Sequence, residues 1–135
     1  MHQATTQLLQ RYYDAFNAGD MDAFLSLLTD DVIHDINQGG RDIGKPAFAA
    51  FMQRMNRNYR ETIVDLSITT NEKGDRAAVE FTVEGQYLAT DDGLPEAHGQ
   101  TYRLPAGAFF EIRDDQVARV TNYYNLEDWI AQVSA

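Results

Sequence analysis

Cysteine is absent from the sequence, which excludes disulfides, thiolate nucleophiles and thiolate metal sites together and leaves packing to hold the fold. No stretch approaches the roughly 20 apolar residues that a membrane-crossing helix needs. The segment from Met1 to Gln10 also lacks the basic start and apolar run of a leader. The expectation is a soluble cytoplasmic protein with no membrane partner. Basic residues are scarce as well: eleven Lys and Arg stand against twenty-one Asp and Glu, a formal charge of -10. Such a chain repels the phosphates of nucleic acid and of anionic lipid, so no nucleic-acid partner is expected. Phosphate-cradling glycine loops, nucleophile elbows and dinucleotide fingerprints are missing too. Three histidines, His2, His34 and His98, have neither the helical i, i+4 pairing nor a nearby carboxylate triad of the kind a metal site uses. No metal and no cofactor is expected.

What is there suits one domain over residues 1–135: 135 residues, 44% hydrophobic and 11% aromatic, enough for one continuous core. Leu9, Tyr12, Tyr13 and Phe16 recur at i, i+3, i+4 and i+7, which lines one face of a helix, and Asn17, Ala18 and Gly19 stop it. Asp20 is a suitable N-cap for a second helix carrying Phe24, Leu27 and Leu28. Val32 to Asn37 reads as a short strand. Pro46 suits the first turn of a third helix in which Phe48, Phe51, Met52, Met55 and Tyr59 keep helical spacing.

From Thr62 the period changes to two. Val64, Leu66 and Ile68 alternate with polar residues, the turn Asn71 to Asp75 follows, and Val79, Phe81 and Val83 alternate again. After a polar loop with Gly93 and Pro95 come strands over Tyr102 to Arg113 and Val117 to Tyr124, joined at Asp114 and Asp115. Asn125 then caps a closing helix with Trp129, Ile130 and Val133 inward. The simplest strand topology is an antiparallel meander. Helices first and strands second predict an α+β fold, with helices gathered on one face of a curved sheet. In the last two strands both alternating faces carry large apolar side chains, so the outer face is expected to meet a second copy in a homodimer.

The run from Arg11 to Asp20 (RYYDAFNAGD), followed by Leu27 to Val32 (LLTDDV), resembles the opening of SnoaL-like polyketide cyclases and ketosteroid isomerases of the nuclear transport factor 2-like superfamily. Gly44-Lys45-Pro46 and the stretch from Gln116 to Val120 before Tyr123-Tyr124 extend the resemblance over nearly the whole chain. It implies a cone-shaped, cystatin-like fold whose helices and curved, mainly antiparallel sheet enclose a pocket. The isomerases use a first-helix tyrosine and a protonated aspartic acid as oxyanion donors and a second aspartate as base. Tyr12 matches the tyrosine by its spacing to Gly19-Asp20. Ile36 falls where the base belongs, with Asp35 one place earlier, and Gly107 falls where the protonated acid belongs. Steroid isomerisation by that mechanism is therefore not implied.

With the family's strand facing, Val32, His34, Ile36, Phe81, Val83, Arg103, Phe109, Val120, Asn122 and Tyr124 point inward and line an apolar cavity with few polar groups, as small-molecule sites do. Glu111 shares a face with Phe109 and is a candidate buried carboxylate. His34 is a candidate for proton transfer, or a hydrogen-bonded core histidine. Arg103 is a candidate clamp for a carboxylate or enolate, or an edge arginine paired with an acid. Tyr12 is a candidate oxyanion donor, or a packed helix tyrosine. Asp35 is expected to point away from His34. Two functions remain open: a cofactor-independent isomerase or cyclase moving a proton on a hydrophobic carbonyl compound, and a non-catalytic binding module for a lipophilic metabolite.

Overall fold

The computed structural model describes residues 2–37 and 39–135. Helix α1 (His2–Ala18) buries Leu8, Leu9, Tyr12 and Tyr13, and Gly19 in the left-handed region (φ 69°) ends it, a conformation that glycine adopts without a Cβ penalty. Helix α2 (Met21–Ser26) starts where expected, its N-cap Asp20 accepting a hydrogen bond from the Ala23 amide at 3.1 Å. Strand β1 (Leu28–Asp35) is longer than the sequence pattern predicts and stops before Asn37. The short edge strand β2 (Arg41–Ile43) has no alternation long enough to be read from sequence. Helix α3 (Lys45–Asn58) carries Pro46 in its first turn, but Tyr59 opens strand β3 (Tyr59–Thr70) and is not helical. Then follow β4 (Arg76–Tyr87), β5 (Thr101–Arg113), β6 (Gln116–Tyr124) and α4 (Leu126–Ser134), the last capped by Asn125 through the Asp128 amide at 3.0 Å.

Among the described residues, six strands form one open sheet in the order β2-β1-β6-β5-β4-β3. Strands β3 to β6 make the expected antiparallel meander. Strand β1 corrects that simple picture, because it lies parallel to β6, so the sheet is mixed. The fold is the expected α+β arrangement, with α1 and α3 against the sheet and a core that includes Phe24, Phe48, Tyr87, Phe110 and Trp129.

Two irregularities decide which side chains face that core. In β3 the register shifts between Val64 and Ser67, where Asp65 takes a left-handed φ of 55°. Val64, Leu66 and Ile68 therefore do not share one uninterrupted face, and Ile63 is the buried residue there. In β6 the shift is more consequential. Asp114 and Asp115, with φ of 53° and 57°, form the tight turn between β5 and β6, pairing Arg113 with Gln116 and Ile112 with Val117. The next pair is Glu111 with Arg119, so Ala118 is an extra, bulged residue. Every later pair is displaced by one: Phe110, not Phe109, stands opposite Val120. Facing alternates without interruption along β5, so its inward set is Tyr102, Leu104, Ala106, Ala108 and Phe110, and the insertion on β6 puts Val120, Asn122 and Tyr124 on that same side.

The bulge also brings Val117 and Val120, three apart, into the core at 0% exposure. Replacing either with Ala is expected to lower the free energy of unfolding in urea by about 2 kcal/mol. A regular strand, with one of the two facing solvent, would show a loss at one position and within about 0.5 kcal/mol of none at the other.

Candidate functional site

A cavity of about 460 Å³ lies between the concave face of the sheet and helices α1 and α3, within the size range of small-molecule pockets. Its wall runs across His34 of β1, Asn122 of β6, Ala106 of β5, Phe81 of β4 and Glu61 of β3. Tyr12, Ile36, Val83 and Tyr124 from the expected set also line it.

His34 is 2% exposed and sits inside an aromatic clamp. Its ring stacks on Phe48 with centroids 4.2 Å apart and meets Phe51 edge-on at 4.6 Å. Burial lowers its pKa to about 4 against the raising influence of Asp42 and Asp35, so the imidazole is neutral at neutral pH. Nε2 lies 3.5 Å from Asn122 Nδ2, and Nδ1 is buried without a hydrogen-bond partner among the described residues. Asp35, the next residue, faces the other side of the sheet, where Arg41 donates to it at 2.6 Å and Thr121 at 2.7 Å. Tyr12 packs among Phe24, Phe110 and Tyr13, and burial pushes its hydroxyl well above the ordinary tyrosine range, so it remains a proton donor.

Five expected positions are elsewhere. Arg103, Phe109 and Glu111 are on the outer face of the sheet, a correction to the expected facing: the bulge at Ala118 sets Val120, Asn122 and Tyr124 opposite Phe110, Ala108 and Ala106, the inward residues of β5. Arg103 pairs there with Glu84 and with Asp65 at 3.4 Å; Glu111 pairs with Arg119 at 3.0 Å and Arg76 at 3.4 Å. Glu111 does share a face with Phe109, but the face is the outer one. Val32 and Val120 point inward, yet both are 0% exposed and belong to the closed core, since a side chain without accessible surface cannot touch a ligand.

Glu61 is the cavity group that the sequence pattern did not reveal. Its neighbours Arg60 and Thr62 are exposed, and the run Tyr59-Arg60-Glu61-Thr62 reads as the polar end of a helix. Desolvation raises its pKa, opposed by a hydrogen bond that the Tyr102 hydroxyl donates to Oε2. Glu61 pairs across the ladder with Gly85, and Gly85 with Tyr102, so the tyrosine crosses a whole strand to reach the carboxyl. Gly85 makes that possible: a Cβ there would lie 2.3 Å from the Tyr102 ring. A glycine inside a strand was the available signal, since it marks a close approach. At the same end, Tyr59 donates to Asp91 at 2.9 Å and Tyr87 to the Pro95 carbonyl at 2.6 Å, which fixes the loop between β4 and β5 over the cavity, with Leu94 in its wall.

The SnoaL-like domain model matches residues 9–120, and the chain belongs to that family. No curated protein matches the sequence. Among solved structures, a candidate polyketide cyclase from Pseudomonas putida KT2440 is 65% identical, with a TM-score of 0.94 over 96% of this chain and 97% of that one. A candidate polyketide cyclase from Xanthomonas campestris pv. campestris is 58% identical, with a TM-score of 0.95 over 98% of both chains. A nuclear transport factor 2-like protein from Burkholderia xenovorans LB400 shares the fold, with 17% identity and a TM-score of 0.79 over 98% of both chains. The chain is thus a SnoaL-like protein, and its fold is the one seen in the nuclear transport factor 2-like protein.

The lowered pKa of His34 has a sign that can be tested. A histidine that stays neutral in the folded state gives stability that is full above its unfolded pKa of about 6.5 and is lost as pH falls towards about 4. The loss attributable to it is expected to reach about 3 kcal/mol. It is read as the difference in urea stability between the native chain and His34→Gln across that window. Proton NMR of the ring is expected to show a midpoint near 4.

Proposed function

We propose that this chain is a cofactor-independent isomerase or cyclase that moves a proton on a hydrophobic carbonyl compound held in the cavity. The observation that carries the reading is His34, neutral and clamped between Phe48 and Phe51 in the wall of an apolar cavity, with the Asn122 amide beside it. A neutral imidazole has a lone pair free for a proton from the carbon next to the carbonyl. A conjugate-acid pKa of about 4 is close to that of the carboxylate base, about 4.6, that performs the same step in ketosteroid isomerases. The electron pair released from the C–H bond moves to the carbonyl oxygen. Amide and phenol donors held in a dry site, from Asn122 and Tyr12, stabilise that developing charge more than they stabilise the ketone. Return of the proton to another carbon completes an isomerisation; attack of the enolate on a second carbonyl completes a cyclisation.

In heavy water, the protein is expected to exchange the α-hydrogens of hydrophobic ketones faster than buffer does, followed by proton NMR. His34→Gln is expected to remove about a hundredfold or more of that acceleration. The acid limb of the rate profile should fall near pH 4, where the imidazole becomes protonated. Ketones that bind, by thermal shift, but never exchange would leave the binding-module reading in its place.

The outer sheet face is the second part of the proposal. Phe109 and Tyr123 are 50% and 55% exposed and touch edge-on at 5.7 Å, beside charges of both signs from Arg76, Arg119, Glu111 and Asp35. A patch with apolar centre and mixed rim is self-complementary, so a second copy of the chain is its proposed partner. Light scattering is expected to give twice the 15.3 kDa chain mass; Phe109→Glu should return it to one chain.

A further inference from the structure

The cavity has two polar ends that no one small functional group can serve. His34 and Asn122 lie on β1 and β6, whereas Glu61 lies on β3, and strands β6, β5 and β4 separate β1 from β3. Four strand spacings measure about 19 Å along a flat sheet, and curvature and the length of the inward side chains shorten that gap. The wall between the ends is largely apolar, formed by Phe81, Val83, Leu104 and Ala106, with the Tyr124 phenol near enough to Glu61 to feel its charge. A ligand that touches both ends has an apolar body with a polar group at each extremity.

Glu61 sets the chemistry of the far end. One carboxyl oxygen accepts the Tyr102 hydroxyl, and the other has no hydrogen-bond partner among the described residues. Glu61 is partly buried and lines the cavity, so its second oxygen is open to a donor from a ligand there. Desolvation already moves Glu61 towards its neutral form. A hydroxyl suits both forms, since it can donate to the carboxylate or to the carbonyl of the acid. An ammonium group suits the carboxylate alone.

Building on the carbonyl-compound reading above, we infer that the cavity takes an elongated hydroxy-ketone, its carbonyl at His34 and Asn122 and its hydroxyl donating to Glu61 at the opposite edge of the sheet. Glu61 is in this account a specificity residue that chooses among carbonyl compounds; the proton step stays at the other end.

Calorimetric titration of the full chain with three probes tests it: 4-(4-hydroxyphenyl)butan-2-one, its methyl ether, and 4-phenylbutan-2-one. The hydroxy-ketone is expected to bind at least about tenfold more tightly than the other two, the range of one hydrogen bond to a charged group. In Glu61→Gln, whose amide oxygen can still accept from Tyr102, the three affinities are expected to converge to within about threefold, because the ligand-facing acceptor is gone. Equal affinities in the native chain, or a hydroxyl preference that survives in Glu61→Gln, would overturn the inference and leave the ketone site standing. No binding of any of the three at millimolar concentration would overturn both. The comparison in the native chain decides the matter even if the variant does not fold.

Discussion

The extra residue at Ala118 governs what this molecule can do. A two-residue turn at Asp114 and Asp115 starts the β5 and β6 ladder in a register that would set Phe109 against Val120. The bulge moves the partner to Phe110, and side-chain alternation carries the change along the rest of β6. Asn122 and Tyr124 thereby line the cavity, and Arg119 faces outward, where it meets Glu111 at 3.0 Å. Without the bulge Arg119, Thr121 and Tyr123 would face inward, at the cost of burying a guanidinium away from Glu111. Strand β5 alternates unbroken from Ile112, opposite Val117, which puts Tyr102 inward, where it holds Glu61, and Arg103 outward, where it meets Glu84 and Asp65.

The fold was legible because its signals are local and repeated. Periods of 3.6 and then 2, the caps Asp20 and Asn125, and the stops at Gly19 and at Asp114-Asp115 are each decided by a few neighbouring residues. His34, Ile36, Asn122 and Tyr124 were placed in the cavity wall by alternation on strands regular enough to keep it. Arg103, Phe109 and Glu111 were misplaced because the bulge on β6 sets its inward residues Val120, Asn122 and Tyr124 opposite the even-numbered residues of β5. An alanine between Val117 and Arg119 carries no mark of being bulged. Parallel pairing of β1 with β6 was illegible for a related reason: it joins segments almost ninety residues apart, and such contacts depend on the whole assembly. Glu61 escaped because it stands beside exposed residues at the junction of α3 and β3, where the helical spacing of the sequence runs on past the end of the helix.

The two titratable groups at the ends of the cavity are shifted in opposite directions by one cause. Loss of water disfavours the charged form of either, lowering the pKa of His34 and raising that of Glu61. Both shifts favour an interior without charge. That explains how an apolar wall tolerates them, and it separates their uses. His34 has a stacked aromatic clamp and a nearby amide, a setting that fixes orientation and leaves a lone pair. Glu61 has a donor reaching it over a bare glycine, a setting that fixes one oxygen and leaves the other.

Family membership alone does not choose a substrate, because one fold hosts many functions and the lining decides among them. In the reading proposed above, separation is what selects. A proton-transfer group on β1 and an accepting group on the edge strand β3 reward a molecule of matching length, and a shorter ketone gains contact at one end only. Tight recognition would then come from the far hydroxyl, whose hydrogen bond is made equally in the ground state and the transition state and so sets affinity without altering the chemical barrier. The barrier would be left to the imidazole and its donors at the other end, a division of labour that rests on the strand order, which sets β1 and β3 three strands apart.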